Sequence, residues 1–188
     1  MNNIKPIFRV PLKYGAAASV LAIVLMVVMY FSGKHPMLIP IFYDYRIFLF
    51  GVIIFFSVKE YREYYNGGKL HFWEGLVNGI VTYIIVALIA GAFIWAFSLI
   101  VPDFLDSYVN GTISGLELDK EQLTGEGTIA ISEEEFQKQV AMLREIRPSM
   151  LTLDYIIKSM VIGFPITLII AVFLRKTEDR FKSRSTSE

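Results

Sequence analysis

Four charged residues stand inside two of the long apolar runs of this 188-residue chain, and they are the side chains best placed to do chemistry. Asp44 and Arg46 lie near the start of the second run, and Asp154 and Lys158 lie in the first two turns of the fourth. An ionisable group at membrane depth is costly and therefore marks a candidate site. Helical rise places all four in one layer without net charge, with Arg46 about 10 Å and Lys158 about 5 Å below the outer hydrocarbon boundary.

The spacing of the four charges predicts how they pair. Asp154 and Lys158 are four residues apart and can pair within one helix. Asp44 and Arg46 are two residues apart and face different ways on a helix, so they meet only indirectly. We expect Asp44 to reach Lys158 and Arg46 to reach Asp154 across two touching helices. Two alternatives stay open: the two cations snorkel to the outer headgroups, or the layer serves a proton or ion path.

Other chemistry finds little support in the residue types. The chain has no cysteine and two histidines, which excludes disulfides and thiolate ligands and leaves too few imidazoles for a His-rich metal site. It contains no phosphate-binding loop, zinc-protease or nucleophile-elbow motif. We therefore predict no catalytic, cofactor-binding or metal site. His71 and Glu74 form the one conceivable acid–base pair, and the simpler interpretation is that both are solvated at a membrane interface.

Four long apolar runs must position these side chains. They cover Tyr14–Phe31, Ile39–Val58, Gly75–Val101 and Leu151–Leu174, in a chain that is 54% hydrophobic and 19% charged. The first run alone spans about 27 Å as a helix, close to a hydrocarbon core of roughly 30 Å. Uninterrupted apolar runs are not the alternating pattern of barrel strands, so helices are favoured. The sequence predicts an all-α membrane protein with four transmembrane helices, the first an uncleaved anchor.

The distribution of cations predicts the orientation. Basic residues precede the first run, fill the connector between the second and third, and follow the fourth, namely Lys5, Arg9, Lys13, Lys59, Arg62, Lys69, Arg175, Lys176, Arg180, Lys182 and Arg184. The positive-inside rule then places both termini in the cytoplasm and the acidic segment between the last two runs outside. The overall balance of 18 basic and 18 acidic residues gives no support for nucleic-acid binding.

The acidic segment, residues 102–150, is predicted to form a helical hairpin outside the membrane. Ser132 followed by Glu135 is a capping box, and Phe136, Val140 and Leu143 then form one apolar stripe that ends before Pro148. The first half, 104–123, is predicted as helix then loop, with 125–127 as the connector. The stripe needs a cover, which is the neighbouring helix, the membrane surface, a second copy or another protein.

Small and polar residues in the third and fourth runs predict close helix packing. Gly75 and Gly79 have the spacing that lets another helix approach closely, and Asn78 beside them can add an interhelical hydrogen bond. Pro165 cannot donate to the preceding turn, so a kink near Gly163 is expected in the last helix.

The connector between the second and third runs carries both a stop signal and a charged face. Residues 66–68, Asn-Gly-Gly, tolerate the left-handed conformation and should end the extension of the second helix. Lys59 and Arg62 belong to the face beneath the tyrosines, which is either solvated or a docking site for a partner protein.

Residues 56–75 also carry a family resemblance. The connector Lys59-Glu60-Tyr61-Arg62, the Asn-Gly-Gly at 66–68 and Phe72, followed by a long apolar helix, the turn at 101–104 and an acidic insert, resemble domain of unknown function 4199. The resemblance covers nearly the whole chain. It implies a small four-span protein of the bacterial cytoplasmic (inner) membrane without an assigned activity, and an accessory role in envelope glycan or lipid-linked sugar assembly.

The sequence therefore predicts three parts and a leading function. The parts are residues 1–101 with three transmembrane helices, 102–150 as the extracytoplasmic insert, and 151–188 with the last helix and a basic cytoplasmic tail. The leading function is a non-enzymatic membrane subunit that lies in the lipid bilayer and docks a membrane-protein partner or a second copy. The docking candidates are Phe136, Val140, Leu143, Lys59 and Arg62. The alternative is a small transporter or lipid-handling component that uses the charge layer.

Overall fold

The chain is all-helical in the parts that its structure, a computed structural model, describes: residues 5–118 and 132–176. A short 3-10 turn, Ile41–Tyr43, precedes the second helix, and a π-helical turn, Tyr61–Tyr65, follows it. The predicted connector at 125–127 and the tail cations Arg180, Lys182 and Arg184 lie outside the described residues. The six α-helices are α1 (Pro6–Phe31), α2 (Tyr45–Glu60), α3 (Phe72–Ile100), α4 (Pro102–Leu118), α5 (Glu133–Arg144) and α6 (Pro148–Leu174).

Three of these helices are long and apolar enough to cross a membrane: α1, α3 and α6, with 26, 29 and 27 residues. The chain is therefore a membrane protein. The second helix is shorter than the sequence predicts, because α2 has 16 residues and begins at Tyr45 rather than Ile39. Asp44 lies in the extended conformation and accepts a hydrogen bond from the backbone N–H of Arg46, which fixes the start of the helix.

The helices α1, α2, α3 and α6 form a bundle in which two helices run one way and two run the other. The first turns of α1 meet the last turn of α2 through Lys13, whose ammonium donates to the Glu60 carboxylate at 2.8 and 2.9 Å. At the other end of α1, the ring of Tyr30 lies 5.7 Å from that of Phe97 near the end of α3. Thus α1 and α3 run in one direction, and α2 runs in the other.

The last helix runs alongside α2, and it ends on the side of the bundle where α1 starts. Arg62 donates to the carbonyl of Leu174 at 3.2 Å, and Leu70 and Lys176 exchange two backbone hydrogen bonds of 2.8 and 2.9 Å. We call this the connector end of the bundle. Gly67 and Gly68 make its turn possible with φ values of 61° and 77°, as the sequence predicts.

Close packing between α3 and its neighbours depends on the predicted small residues. A Cβ atom at Gly79 would lie 2.5 Å from Thr167 of α6 and 2.9 Å from Ile54 of α2, and one at Gly75 would lie 3.3 Å from Ala171 of α6. Both glycines are buried. The predicted role of this spacing in helix packing is confirmed. The last helix continues without interruption through Pro165, and a bend near Gly163 stays a prediction.

The opposite end of the bundle carries α4 and α5, and we call it the hairpin end. The predicted capping box is confirmed, since the Ser132 hydroxyl accepts from the Glu135 N–H at 3.2 Å and the Glu135 carboxylate accepts from the Ser132 N–H at 3.0 Å. These bonds lower the pKa of the Glu135 carboxyl. The helix α5 ends at Arg144, before Pro148, and Pro148 is the first residue of α6, where a missing N–H costs nothing.

Candidate functional site

The predicted charge layer forms at the hairpin end, and its centre is Arg46. The side chains of Arg46 and Asp44 are 2% and 1% exposed. The Arg46 Nε donates to Asp44 Oδ1 at 2.9 Å, and its Nη2 donates to Asp44 Oδ2. This two-point contact with a carboxylate suits the planar guanidinium fork. The pair is therefore direct, fully buried and closed to solvent.

Arg46 also ties α2 to α6. Its Nη1 donates to the Tyr155 carbonyl at 3.1 Å and to the Ser159 hydroxyl at 3.0 Å, and its guanidinium lies 4.5 Å from the centre of the Tyr155 ring. The Tyr155 carbonyl additionally accepts from Ser159 within the helix at 2.8 Å. The prediction that α2 and the last helix touch at this level is confirmed.

The predicted pairing across helices is wrong. Asp44 and Arg46 pair with each other because Asp44 stands outside the helix, where the rule that residues two apart face different ways does not apply. Asp154 and Lys158 pair within α6 at 2.7 Å, four residues apart, as the spacing indicates. The layer thus consists of two self-neutralised pairs, one on each helix.

The second pair differs from the first in its access to the surroundings. The side chains of Lys158 and Asp154 are 24% and 32% exposed. The Lys158 ammonium also makes a long contact of 3.4 Å to the Met37 carbonyl, which belongs to the loop between α1 and α2. An open cleft of about 370 Å³ separates this loop from α4 and has Lys158 at its wall, together with Tyr108, Thr112 and Gly115.

A second polar cluster lies at the connector end of α3. The Ser57 hydroxyl of α2 donates to Asn78 Oδ1 at 2.7 Å, and the Thr82 hydroxyl donates to the Asn78 carbonyl at 2.8 Å. Thr82 also lies 3.2 Å from the Ser57 hydroxyl. All three side chains are buried. The predicted interhelical hydrogen bond of Asn78 is confirmed, and this cluster fastens α2 to α3.

The conceivable acid–base pair of the connector serves as a helix cap. Glu74 accepts from the backbone N–H of His71 at 2.8 Å and lies 3.3 Å from its ring Nδ1, and the Asn66 amide donates to the same carboxylate oxygen at 2.9 Å. His71 has a 67% exposed side chain. The two residues therefore start α3 and secure the turn before it.

The predicted docking residues are partly engaged within the chain itself. Phe136 and Val140 are 2% and 8% exposed, and they pack with Ile113 of α4, while Leu143 packs against the same cluster. The neighbouring helix is thus the cover that the apolar stripe needs. These side chains form the hairpin's own small core and are not available to a partner in this arrangement.

The two cationic docking candidates lie at the connector end. Arg62 joins Glu63 at 3.0 Å and the end of α6, so its guanidinium is engaged. The Lys59 ammonium lies 6.0 Å from the centre of the Phe55 ring, at the side of a small polar cleft that also includes Glu63 and Tyr64. Tyr64 is 80% exposed. The accessible face here is therefore aromatic as much as charged.

Sequence reasoning did not find three contributors to these sites. Tyr155 and Ser159 lie on the face of α6 that meets Arg46, and a polar serine one turn from a tyrosine in an apolar run was the available signal. His35 joins the loop after α1 to α4, because its Nε2 lies 3.0 Å from the Phe104 carbonyl and its Nδ1 lies 3.3 Å from the Met37 N–H. Burial lowers the pKa of His35, partly opposed by the bond to Phe104. Nothing in the spacing around His35 indicates this role.

Comparison with known proteins identifies one relationship. A family model described as a protein of unknown function, DUF4199, matches residues 13–176. This range contains all four charges of the layer, the connector and the described hairpin helices. Neither the curated proteins nor the solved structures include a significant match to the chain.

Proposed function

The chain belongs to the DUF4199 family of proteins of unknown function, and from its geometry we propose that it is a four-pass, non-enzymatic membrane subunit that docks a partner protein. The bundle would cross the bacterial cytoplasmic membrane with both termini in the cytoplasm, and the α4–α5 hairpin would stand outside. An accessory role in envelope glycan or lipid-linked sugar assembly is what the family resemblance adds to this proposal.

The proposal of four crossings draws support from the ends of α2. One end meets Lys13 near the start of α1 through Glu60, and the other meets Ser159 near the start of α6 through Arg46. The helix spans about 24 Å, and the π-helical turn Tyr61–Tyr65 extends it. The polypeptide therefore returns from the hairpin end to the connector end between α1 and α3, which is what a crossing requires.

The proposed orientation depends on the same basic residues as in the sequence analysis, and the fold brings them to one end of the bundle. The connector end collects Lys13, Lys59, Arg62, Lys69 and Lys176. The hairpin end has Asp103 and Asp106 in α4 and three consecutive glutamates at the start of α5. Basic residues prefer the cytoplasmic side, so the connector end is assigned to the cytoplasm.

One observation carries the docking function: the hairpin has a hydrophobic core of its own, separate from that of the bundle. Ile113, Phe136 and Val140 form this core with Val109, Leu116 and Leu143 around it. A unit that folds over its own small core presents a defined surface beyond the bundle. Met142, 57% exposed on α5, is the largest apolar side chain on the outer face of that helix and is the centre of the docking surface that we propose.

The interior of the bundle supports a structural role. Arg46 pairs with Asp44 at the start of α2 and with Ser159 of α6, and Ser57 of α2 pairs with Asn78 of α3. Such matched groups stabilise one arrangement of the helices, because each would be costly if exposed alone to lipid.

A photo-crosslinking experiment tests the docking proposal. A benzophenone amino acid at position 142 of the full chain, activated in native membranes, should give a discrete protein adduct whose mass identifies a partner or a second copy. The same amino acid at Val24, which is 50% exposed on α1, is the control for random collisions in the bilayer. If position 142 gives no protein adduct beyond that of position 24, the proposal is wrong.

A lipid-handling role is the second candidate, and one observation favours it. Lys158 lines an open cleft and its pair with Asp154 is partly exposed, whereas Asp44 and Arg46 are closed off. Replacement of Lys158 by Met and Asp154 by Asn should abolish flux but leave assembly intact if the chain transports a solute or lipid. Loss of partner crosslinking after removal of the hairpin, with no change in flux, would instead support the docking role.

A further inference from the structure

The cleft beside Lys158 has the chemistry of a lipid headgroup site. An ammonium group has three N–H donors. One is directed to Asp154 at 2.7 Å, and a second makes only the long contact to the Met37 carbonyl at 3.4 Å. At least one donor is therefore left for an acceptor that enters the cleft, and the oxygens of a phosphate group are strong acceptors.

The charge pair beside the cleft selects among headgroups. Lys158 and Asp154 sum to zero, and both side chains are partly exposed. An anionic headgroup would gain from Lys158 but would meet the carboxylate of Asp154. A headgroup with a phosphate and an ammonium satisfies both, since the phosphate accepts from Lys158 and the ammonium donates to the carboxylate of Asp154.

A separate apolar groove lies further along the bundle, towards the connector end. It lies between α2 and α6, has a volume of about 540 Å³, and is lined by Ile47, Gly51, Val52, Phe55, Phe56, Ile166, Ile169 and Ile170. Ile169 is eleven residues after Lys158, which is close to three helical turns, so the two side chains lie on the same face of α6. A chain that leaves the cleft along this face enters the groove.

The rim of the cleft is suited to the surface of a bilayer. Ile41, which lines the cleft, is 39% exposed, and the adjacent Phe42 and Tyr43 are 88% and 83% exposed. Aromatic and aliphatic side chains at this density favour the headgroup boundary over bulk water. The cleft, its rim and the groove thus follow the order of a phospholipid, from its polar head to its acyl chain.

We propose that the chain binds one molecule of a zwitterionic, ethanolamine-type phospholipid in the leaflet at the hairpin end. Its phosphate lies at Lys158, its ammonium lies at Asp154, and one acyl chain fills the groove between α2 and α6. This site requires that the bundle lie in a bilayer, but it does not require that the hairpin dock a partner, so the two proposals fail separately.

Native mass spectrometry of the full chain tests the site. The protein is transferred to micelles with equal amounts of phosphatidylethanolamine and phosphatidylglycerol that have identical acyl chains. One phosphatidylethanolamine per chain should be retained in preference to phosphatidylglycerol by about tenfold, the ratio that one charge-assisted hydrogen bond provides. Equal retention of the two lipids, or a preference for the anionic one, would overturn the proposal.

Three variants separate the parts of the site. Lys158→Met should reduce retention about tenfold through the headgroup. Gly51→Leu should reduce it by filling the groove, and the fold has room for it because a Cβ atom at Gly51 meets no atom within 4 Å. Ala17→Leu, on the exposed face of α1, adds the same kind of side chain elsewhere and should change nothing.

Asp154→Asn gives a readout that does not depend on how stable a variant is. It removes the carboxylate and leaves the cation of Lys158, so the preference should shift from the zwitterionic lipid towards phosphatidylglycerol. A shift of this kind supports the assignment of Asp154 to the ammonium. If this variant keeps the preference of the unaltered chain, or if Lys158→Met and Gly51→Leu both retain lipid as that chain does, the site is refuted.

Discussion

Arg46 forms a buried ion pair with Asp44, two residues before it, because Asp44 is the N-cap of α2 and Arg46 lies in the first turn of that helix. The carboxylate thus accepts from both the backbone N–H and the guanidinium of Arg46, at 2.9 Å in each case. The same guanidinium reaches α6 through Ser159. The start of α2 and its attachment to α6 are therefore one structural feature.

Replacement of Arg46 by Met should destabilise the protein by about 3–5 kcal/mol, because it leaves the Asp44 carboxylate buried without a partner. The double variant Arg46→Met with Asp44→Asn should recover part of this loss, since Asn keeps the capping acceptor and carries no charge. Thermal unfolding in detergent, followed by circular dichroism, measures the free energies for a double-mutant cycle. Lys158→Met is the control, because its pair is partly exposed and should cost about 1 kcal/mol or less. Equal losses for Arg46→Met and Lys158→Met would contradict this account.

The Arg46 pair also shows where reasoning from the sequence stops. The apolar runs are sufficient to predict an all-helical membrane protein. The small and polar residues of the third run are sufficient to predict the contacts of Gly75 and Gly79 and the hydrogen bond of Asn78. The pairing of the charges depended on whether position 44 lies inside the helix, and an apolar run starting at Ile39 gives no sign that regular helix begins only at Tyr45. An error of six residues at one helix end was enough to change the partners.

The hairpin illustrates a second limit. The stripe of Phe136, Val140 and Leu143 was read correctly as needing a cover, but several covers satisfy the same pattern. The choice of α4 depends on Ile113 and its neighbours, whose own periodicity is weaker. This pairing joins residues that are far apart along the sequence, and a local pattern does not contain such information.

Gly79→Ala should destabilise the bundle by about 1–3 kcal/mol through overpacking, since its Cβ atom would lie 2.5 Å from Thr167 and 2.9 Å from Ile54. Gly51→Ala is the matched control. It lies in the neighbouring helix α2, where the added methyl meets no atom within 4 Å, so it should be neutral or stabilise by about 0.5–1 kcal/mol. Unfolding midpoints of the two variants in the same detergent give the comparison. A Gly79→Ala protein as stable as Gly51→Ala would show that the helices do not pack as closely as described.

Acidification should weaken the contact between the loop after α1 and α4, because His35 accepts the Met37 N–H through Nδ1 and must be neutral to do so. Burial lowers the pKa of His35 below its ordinary value of 6.5, so the unfolded chain takes up a proton first as the pH falls. The stability that the neutral ring contributes is complete above pH 6.5 and is lost between 6.5 and the lowered pKa.

Melting temperatures at a series of pH values between about 7.5 and 5 measure this loss. His35→Gln removes the titrating group and should flatten the part of the curve below pH 6.5, while leaving the part above it nearly unchanged. His71→Gln is the control, because that ring is exposed at the connector end. If the pH dependence of the melting temperature persists in the His35 variant and disappears in the His71 variant, it does not come from His35, and the prediction is wrong.

Phe136→Ala should loosen the hairpin without unfolding the bundle, because Phe136 belongs to the small core and not to the larger one. The free energy that stabilises the hairpin should fall by about 3–5 kcal/mol, which is more than its small core can supply. Limited proteolysis should cut α5 much faster than in the unaltered chain, whereas the melting temperature of the bundle should change little. Cooperative loss of the whole structure would show that the hairpin and the bundle share one core.

The central claim, that the chain crosses the membrane four times with the hairpin outside and the connector inside, can be measured directly by cysteine labelling. The chain has no cysteine of its own, so Ser114→Cys on α4 and Tyr64→Cys at the connector each introduce a single thiol, both at exposed positions. A membrane-impermeant maleimide applied to intact spheroplasts should label the thiol at position 114 and leave position 64 unlabelled until the membrane is permeabilised. Labelling of position 64 in intact spheroplasts, or of both positions from the same side, would contradict the account.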